Sequence, residues 1–357
     1  MTSTRQLAGS KELWVLLALG LAVPLLGMTG IVGPNTVQLW GRYLAFSLAA
    51  VGVNLMWGYT GILPLCQAFF FCLGGYAIGM HMLLLTGTQG SYGAAIPDFM
   101  VWNGVKVLPA FWEPFRSFPM AVFLGLAVPA AAAGIFGIAA FRSRIRGVYF
   151  SIITQAFALA MWLVFLRNET MLGGTNGLTD FKTLLGMKLS DPGSQRILAG
   201  ATAIVLVAVL VGMKWGLSTK FGKVLIAIRD SEFRLRFTGY PVWKYKAFVF
   251  VLGAMVAAMG GMLYVPQTGI VTPGRMTVQS SIEIVVWTAL GGRGTLLGPV
   301  VGAVAVNMLY SWLTGAFPQS WLYVLGGLFL LVVLVIPDGL TGLVQRLMAR
   351  RKAEVAP

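Results

Sequence analysis

Ten apolar stretches, most of them close to 20 residues long, recur along the chain at about 13–33, 37–57, 62–85, 118–141, 148–167, 197–214, 246–265, 277–291, 299–316 and 321–337. A helix of that length matches the hydrocarbon thickness of a bilayer. A 357-residue globule has too little interior to hide ten of them from water, and a chain that is 57% hydrophobic and 10% charged is that of an integral membrane protein. Lipid leaves no partner for open backbone groups, so the expected fold is all-α, a polytopic bundle of about ten transmembrane helices. Arg5 and Lys11 precede the first stretch as they would in a signal peptide. Its apolar run is nevertheless long for an h-region and lacks a small-residue cleavage site, so it is read as a span.

The net charge of +15 could suggest nucleic acid, but in lipid the position of basic residues carries the meaning. With the amino terminus inside, the cytoplasmic segments are 1–12, 58–61, 142–147, 214–246, 292–298 and 338–357. They hold 18 of the 26 Lys and Arg, against 7 on the opposite side, with Arg42 left inside a span. That bias obeys the positive-inside rule, so the charge is topology and no nucleic acid is needed. The expected organisation is a cytoplasmic amino terminus 1–12, a transmembrane domain 13–337 and a basic cytoplasmic tail 338–357. A cytoplasmic loop at 214–246 and outer loops at 86–117 and 168–196 complete it.

Two spans are irregular. The third carries Pro64 near its start and Gly74 and Gly75 in its middle; the eighth is short and carries Glu283. Such interruptions sit where freed backbone meets protein or a water-filled cavity, and they often mark a solute path. Glycine pairs equally let helices pack closely in lipid. The outer run Gly-Gly-Thr-Asn-Gly at 173–177 needs two or three residues at positive φ; it is either a tight turn or the backbone-exposing lining of a mouth. Cys66 and Cys72 do not have metal-ligand spacing and read as packing residues, and lone His81 reads as a hydrogen-bonded structural residue.

The 223–246 segment gathers ten ionisable side chains. Drawn as one helix, it puts Val224, Ile228, Ser231 and Leu235 on one stripe and Ile226, Phe233 and Phe237 on the opposite one. Arg229, Asp230, Glu232, Arg234 and Arg236 fill the flanks, and Gly239 with Pro241 ends the helix. One stripe can rest on the membrane domain and leave the other for a cytoplasmic partner; a helix lying among headgroups would want a single apolar face. A phosphate-binding G-x-x-x-x-G-K-[ST] loop, an H-E-x-x-H pair and a G-x-S-x-G elbow do not occur in the sequence. The chain is therefore expected to be no enzyme and to bind no cofactor itself.

The stretches "GYTGILPLCQAFFFCLGGYA", "RGVYFSIITQAFA", "GGTNGLTDF", "KVLIAIRDSEFRLRFTGY", "LYVPQTGIVTP" and "SSIEIVVWTALGGRGTLLGPVVGA" resemble, in order, the permease family of branched-chain amino-acid and urea ABC importers. Outer-loop segments "IPDFM" and "LPAFWEPF" are similar to the urea-type permease, UrtC, rather than the amino-acid type, LivM. The resemblance implies a bacterial plasma (inner) membrane subunit, with both termini cytoplasmic. It implies pairing with a second homologous permease subunit, two cytoplasmic ABC ATPase subunits that hold ATP and Mg²⁺, and an extracytoplasmic solute-binding protein. Arg229, Asp230, Glu232 and Gly239 match the family's ATPase-contacting loop, to which the stripe argument adds Phe233, Arg236 and Phe237 as coupling residues. Where the family commonly has Ser-Leu-Gly-His, this chain has Pro64, Leu65, Cys66 and Gln67, so a residue that titrates near neutrality is replaced by one that does not.

A path for urea needs neutral polar groups and exposed backbone. The pathway candidates are Tyr59, Thr60, Gln67, Gly74, Gly75, Gly174, Thr175, Asn176 and Trp287, with Glu283 either a pathway carboxylate or the partner of Arg275. Branched-chain amino acids are the alternative solute. A stand-alone channel or secondary transporter is the alternative of another class, and it would have no use for a second apolar stripe on the cytoplasmic loop.

Overall fold

The computed structural model describes residues 10–29, 32–87, 93, 96–145, 147–320, 323–324, 326–327 and 339–342. Its helices are α1 (Ser10–Met28), α2 (Pro34–Thr60), α3 (Gln67–Thr86), the short α4 (Asp98–Trp102), α5 (Phe118–Arg142), α6 (Val148–Leu166), α7 (Pro192–Ser218), α8 (Lys220–Phe237), α9 (Val242–Thr268), α10 (Val278–Gly291) and α11 (Gly298–Ala316). Two-residue strands β1 (Leu178–Thr179), β2 (Thr183–Leu184), β3 (Met187–Lys188) and β4 (Ile270–Val271) pair antiparallel, β1 with β4 and β2 with β3. Among the described residues, α2, α3, α5, α6, α7, α9 and α11 are long and apolar enough to cross a membrane. The protein is a multi-pass helical membrane protein. Most of the expected tenth span, 321–337, and most of both terminal segments lie outside the described residues.

At the centre stand α2, α3 and α9, whose apolar windows are 78%, 89% and 67% buried, against 22–39% for α5, α6, α7 and α11. Those outer helices turn residues such as Phe123, Ile135, Ile152, Leu163 and Ile204 outward, as lipid-facing helices do. Helices in lipid gain little from burying apolar surface against one another, so close approach at small residues drives their packing. A Cβ on Gly74 would overlap the Ala258 carbonyl, one on Gly261 the Phe71 carbonyl, and one on Gly52 the Gly253 carbonyl. Gly41 lies beside Gln267, Gly260 beside Ala45, and Gly52 beside Gly253, so α2 runs antiparallel to α9, whereas α3 runs parallel to α9.

The connections collect at two ends. At one, α8 touches the α2 C-terminus through Arg229, Gly294 packs on Gly58, and Gly339 packs on Gly292. Lys246 lies over the Phe141 ring near the end of α5, which brings the basic 142–145 turn to this same end. At the other end, Trp112 donates to the Met171 carbonyl, His81 donates from Nδ1 to the Phe115 carbonyl at 2.8 Å, and Leu178 pairs with Val271. Buried His81 is a structural tie, and buried Cys66 and Cys72 are free thiols in the packed core.

Three sequence expectations need correction. The third stretch is not helical from residue 62: residues 61–66 have no helix, and α3 starts at Gln67. The eighth stretch is a 14-residue helix of about 21 Å, too short to cross a bilayer alone. And α8 is not one straight helix, because Ser231 leaves helical geometry at φ −162°, ψ 86°, so a single wheel cannot be drawn through it.

Candidate functional site

Gln67, the first residue of α3, lies beside Gly52 and Gly253, and its Nε2 donates to the Gly253 carbonyl at 2.6 Å. Since Gly52 is eight residues before the α2 terminus, α3 begins roughly 12 Å inside the bundle. Between the closing bond of Gly61 N–H to the Trp57 carbonyl and the opening bond of Phe69 N–H to the Cys66 carbonyl, residues 62–65 therefore climb back into the bundle without helical hydrogen bonds. Gly61 opens the turn in the left-handed region at φ 75°. Side chains from two neighbouring helices meet the backbone that follows. Ser151 Oγ donates to the Leu63 carbonyl at 2.9 Å, Leu65 N–H to Thr154 Oγ1 at 3.0 Å, and Ala68 N–H to Ser281 Oγ at 3.2 Å. This break thus has protein partners, the condition under which irregular backbone is tolerated at membrane depth.

The ten pathway candidates do not form one constellation. Tyr59 and Thr60 are buried at the α8 end, where Thr60 donates to Met56 within its own helix. Gln67 and Gly74 lie in the middle, Gly74 as a packing contact with α9. Gly75 lines a cavity of about 170 Å³ with Arg42, Phe71, Tyr264, Thr268 and Arg275. Buried Trp287 packs against Phe46 with ring centroids 5.1 Å apart and planes tilted by 48°, and Glu283, half-buried one turn earlier on α10, lies in the field of Arg275.

Thr175 and Asn176 are elsewhere. They line a larger cavity, about 590 Å³, at the loop end, whose walls also carry Asp98, Trp102, Asn168 and Asp180. Here Gly173, Gly174 and Gly177 all take positive φ, at 90°, 54° and 67°. At Gly177 close approach is required too, since a Cβ there would meet the Val271 carbonyl that β1 and β4 bring alongside. Residues 173–177 are a tight turn that also forms part of this cavity's wall.

The seven coupling candidates divide by direction. Arg229 Nη1 donates to the Gly58 carbonyl at 3.0 Å, and its Nε meets Asp230 at 3.1 Å. Glu232 accepts from Arg236 and, at 2.7 Å, from Lys246 at the base of α9. Burial alone would raise the Glu232 carboxyl; the hydrogen bonds and charges of Lys246 and Arg236 outweigh it and hold the group below the usual carboxylate range. Arg229, through Gly58, and Glu232, through Lys246, therefore fasten α8 to the membrane body, while Arg236 holds the Glu232 carboxylate from within α8. Gly239, at φ 82°, ends the segment.

Facing away, Phe233 and Phe237 are 65% and 76% exposed and stack edge-to-face with centroids 4.7 Å apart. Asp230, Ser231, Arg234 and Leu235 border a groove of about 310 Å³ at the kink. The inward stripe is Leu225 and Ile228, where the wheel drawn from sequence had Val224 and Ile228; Val224 and Ile226 are only half-buried. The two-sided character survives the kink, with altered membership.

Sequence reasoning missed Ser151, Thr154 and Ser281, the partners of the broken segment, and Asn54. Asn54 Oδ1 accepts from Gly294 N–H and its Nδ2 donates to the Thr295 carbonyl, both at 2.8 Å, which pins the turn between α10 and α11. The available signal was a polar side chain inside an apolar stretch. Arg42 carried that signal most strongly.

Residues 35–334 match the family described as "Branched-chain amino acid transport system / permease component". Among curated relatives, the chain is 25% identical to the high-affinity branched-chain amino acid transport system permease protein LivM of Salmonella typhimurium, over 92% of this chain and 74% of that one. It is 25% identical to a probable branched-chain amino acid transport permease protein LivM of Methanocaldococcus jannaschii, over 86% and 92%. The ribose import permease protein RbsC of Haemophilus influenzae is 21% identical over 74% and 81%. No solved structure matches.

Proposed function

The chain belongs to the permease-component family of branched-chain amino acid transport systems, and on that premise we propose how it works as a transmembrane subunit of an ABC importer. It sits in the bacterial plasma (inner) membrane with α8 in the cytoplasm. A second homologous permease completes the path, a solute-binding protein delivers solute at the loop end, and two ATPases carrying ATP and Mg²⁺ supply the work. The observation that carries this reading is α8, which is fastened inward by Arg229 and Glu232 while presenting Phe233 and Phe237 outward. A movement imposed on the exposed face is passed to Gly58, and so to α2 and the re-entrant 61–66 segment, through rigid contacts. A self-sufficient channel would have no occupant for that face.

For the solute, the printed names of the LivM relatives favour a branched-chain amino acid. A second reading, urea, is favoured by the outer loop: Pro97, Asp98 and Phe99 of "IPDFM" wall the 590 Å³ cavity, where Asn103, Asn168, Thr175 and Asn176 offer hydrogen-bonding groups to a small amide beside the carboxylates of Asp98 and Asp180. Uptake of labelled leucine and labelled urea in a strain lacking this gene, with and without the gene restored, separates the two. Restoration of leucine uptake alone upholds the first reading and of urea alone the second. Restoration of neither, with the partner subunits present, would overturn both solute readings.

A further inference from the structure

The smaller cavity, about 170 Å³, opens between α2, α3, α9 and the turn after β4. Two guanidinium groups line it, Arg42 and Arg275, and among the described residues no acidic side chain does. Arg42 Nη2 reaches the Gln267 carbonyl only at 3.4 Å, and its buried Nε has no hydrogen-bond partner among the described residues. Arg275 stands at the exposed rim with its guanidinium 5.9 Å from the Phe46 ring centroid.

Arginine does not shed its proton, so neither charge can be relieved by titration. Glu283 on α10 lies in the field of Arg275 but outside the cavity lining, so the neighbourhood holds two fixed cations and one carboxylate. Among the described residues that leaves Arg42, whose Nε is buried, without a carboxylate of its own, and an uncompensated charge at that depth is costly. A guanidinium pair offers parallel N–H donors matched to two oxygens sharing a single negative charge, and Thr268 and Thr272 add hydroxyls to the wall. The space equals that of about five or six waters at ~30 Å³ each, enough for a carboxylate and the atoms next to it.

We propose that this cavity is a carboxylate-binding subsite, with Arg275 at the rim drawing the anion in and Arg42 holding it, filled by the carboxylate of an amino-acid solute. The identity of the occupant rests on the amino-acid reading above; the carboxylate chemistry does not. A rival role for Arg42 is to cap the C-terminal carbonyls of α9 through Gln267, where a cation is favourable without any ligand.

The purified chain in nanodiscs tests this by its melting temperature as sodium acetate replaces sodium chloride at fixed ionic strength, and in separate titrations with leucine and with urea. Acetate and leucine are expected to raise Tm by at least about 2 °C, and urea is not. Arg42→Gln and Arg275→Gln should each abolish the shift, and Arg42→Lys should keep part of it. Arg275 is exposed, so Arg275→Gln gives an answer even where Arg42→Gln fails to fold. No shift in the unaltered chain overturns the proposal. So does an Arg42→Gln chain that melts lower yet keeps its full acetate response, which would make Arg42 a helix cap. A shift with acetate but not leucine, lost in both Gln variants, upholds the subsite with a free carboxylate as occupant and removes the amino-acid solute instead.

Discussion

Replacing Phe233 or Phe237 by alanine should cut the hold of the ATPase on this subunit while leaving the subunit folded. A phenylalanine side chain carries roughly 200 Å² of surface, of which 65% and 76% is open here, or about 130 and 150 Å². At ~25 cal/mol/Å², full burial by a partner would contribute about 3–4 kcal/mol per ring. That is a ceiling, because the two rings already cover part of each other and docking has ordering costs of its own. About 2 kcal/mol per ring is the expected loss, in the range of an interface hot spot and equivalent to roughly thirtyfold weaker association. The double variant should lose less than the sum, since the rings are in contact. Within the chain itself the loss is at most about 1 kcal/mol, the worth of one aromatic pair. The assay is binding of the purified partner ATPase to the permease pair in nanodiscs, with stimulated ATP hydrolysis as second readout. Affinities within twofold of the unaltered complex for both single variants would refute the docking face.

Glu232→Gln removes the carboxylate charge that faces the buried Lys246 ammonium, and melting of the purified chain should show a loss of about 1–3 kcal/mol. Because the folded Glu232 carboxyl is held below its unfolded value, this stabilisation is complete above about pH 4.3 and fades as pH falls through the lower folded value. The melting difference between variant and unaltered chain should shrink on acidification through that window. Gly74→Val drives two methyl groups into the Ala258 carbonyl and should separate α3 from α9, costing at least about 3 kcal/mol or blocking assembly, as read from yield and melting temperature. Gln67→Ala leaves the Gly253 carbonyl without its side-chain donor, and the purified chain should melt with about 1–2 kcal/mol less stability.

The helices that traverse the full layer were legible because each must be apolar over a fixed length, and α5, α6 and α11 fall within about a residue of the stretches read from sequence. What hydropathy could not resolve was the start of α3. Residues 62–66 are as apolar as a helix, and only contacts from Ser151 and Thr154, distant in sequence, meet their open backbone, while Ser281 meets Ala68 N–H in the first turn of α3. The kink at Ser231 was hidden for a related reason: helical periodicity continues through the letters on both sides of it. Glycine pairs were ambiguous in sequence, and in the structure both readings hold: Gly74 and Gly75 pack on α9, and Gly75 lines a cavity as well. Arg42 was visible as a charge inside an apolar stretch, yet its meaning depends on Arg275, more than 200 residues away, reaching the same cavity.

The most direct test of the claim that work enters through α8 from the cytoplasm is the accessibility of a single cysteine placed at Phe237. Native Cys66 and Cys72 are buried and give little background. A membrane-impermeant maleimide should label Phe237→Cys in inside-out vesicles and leave it unlabelled in intact spheroplasts, with bound ATPase protecting it. Labelling in intact spheroplasts would place α8 on the wrong side of the membrane and contradict the account.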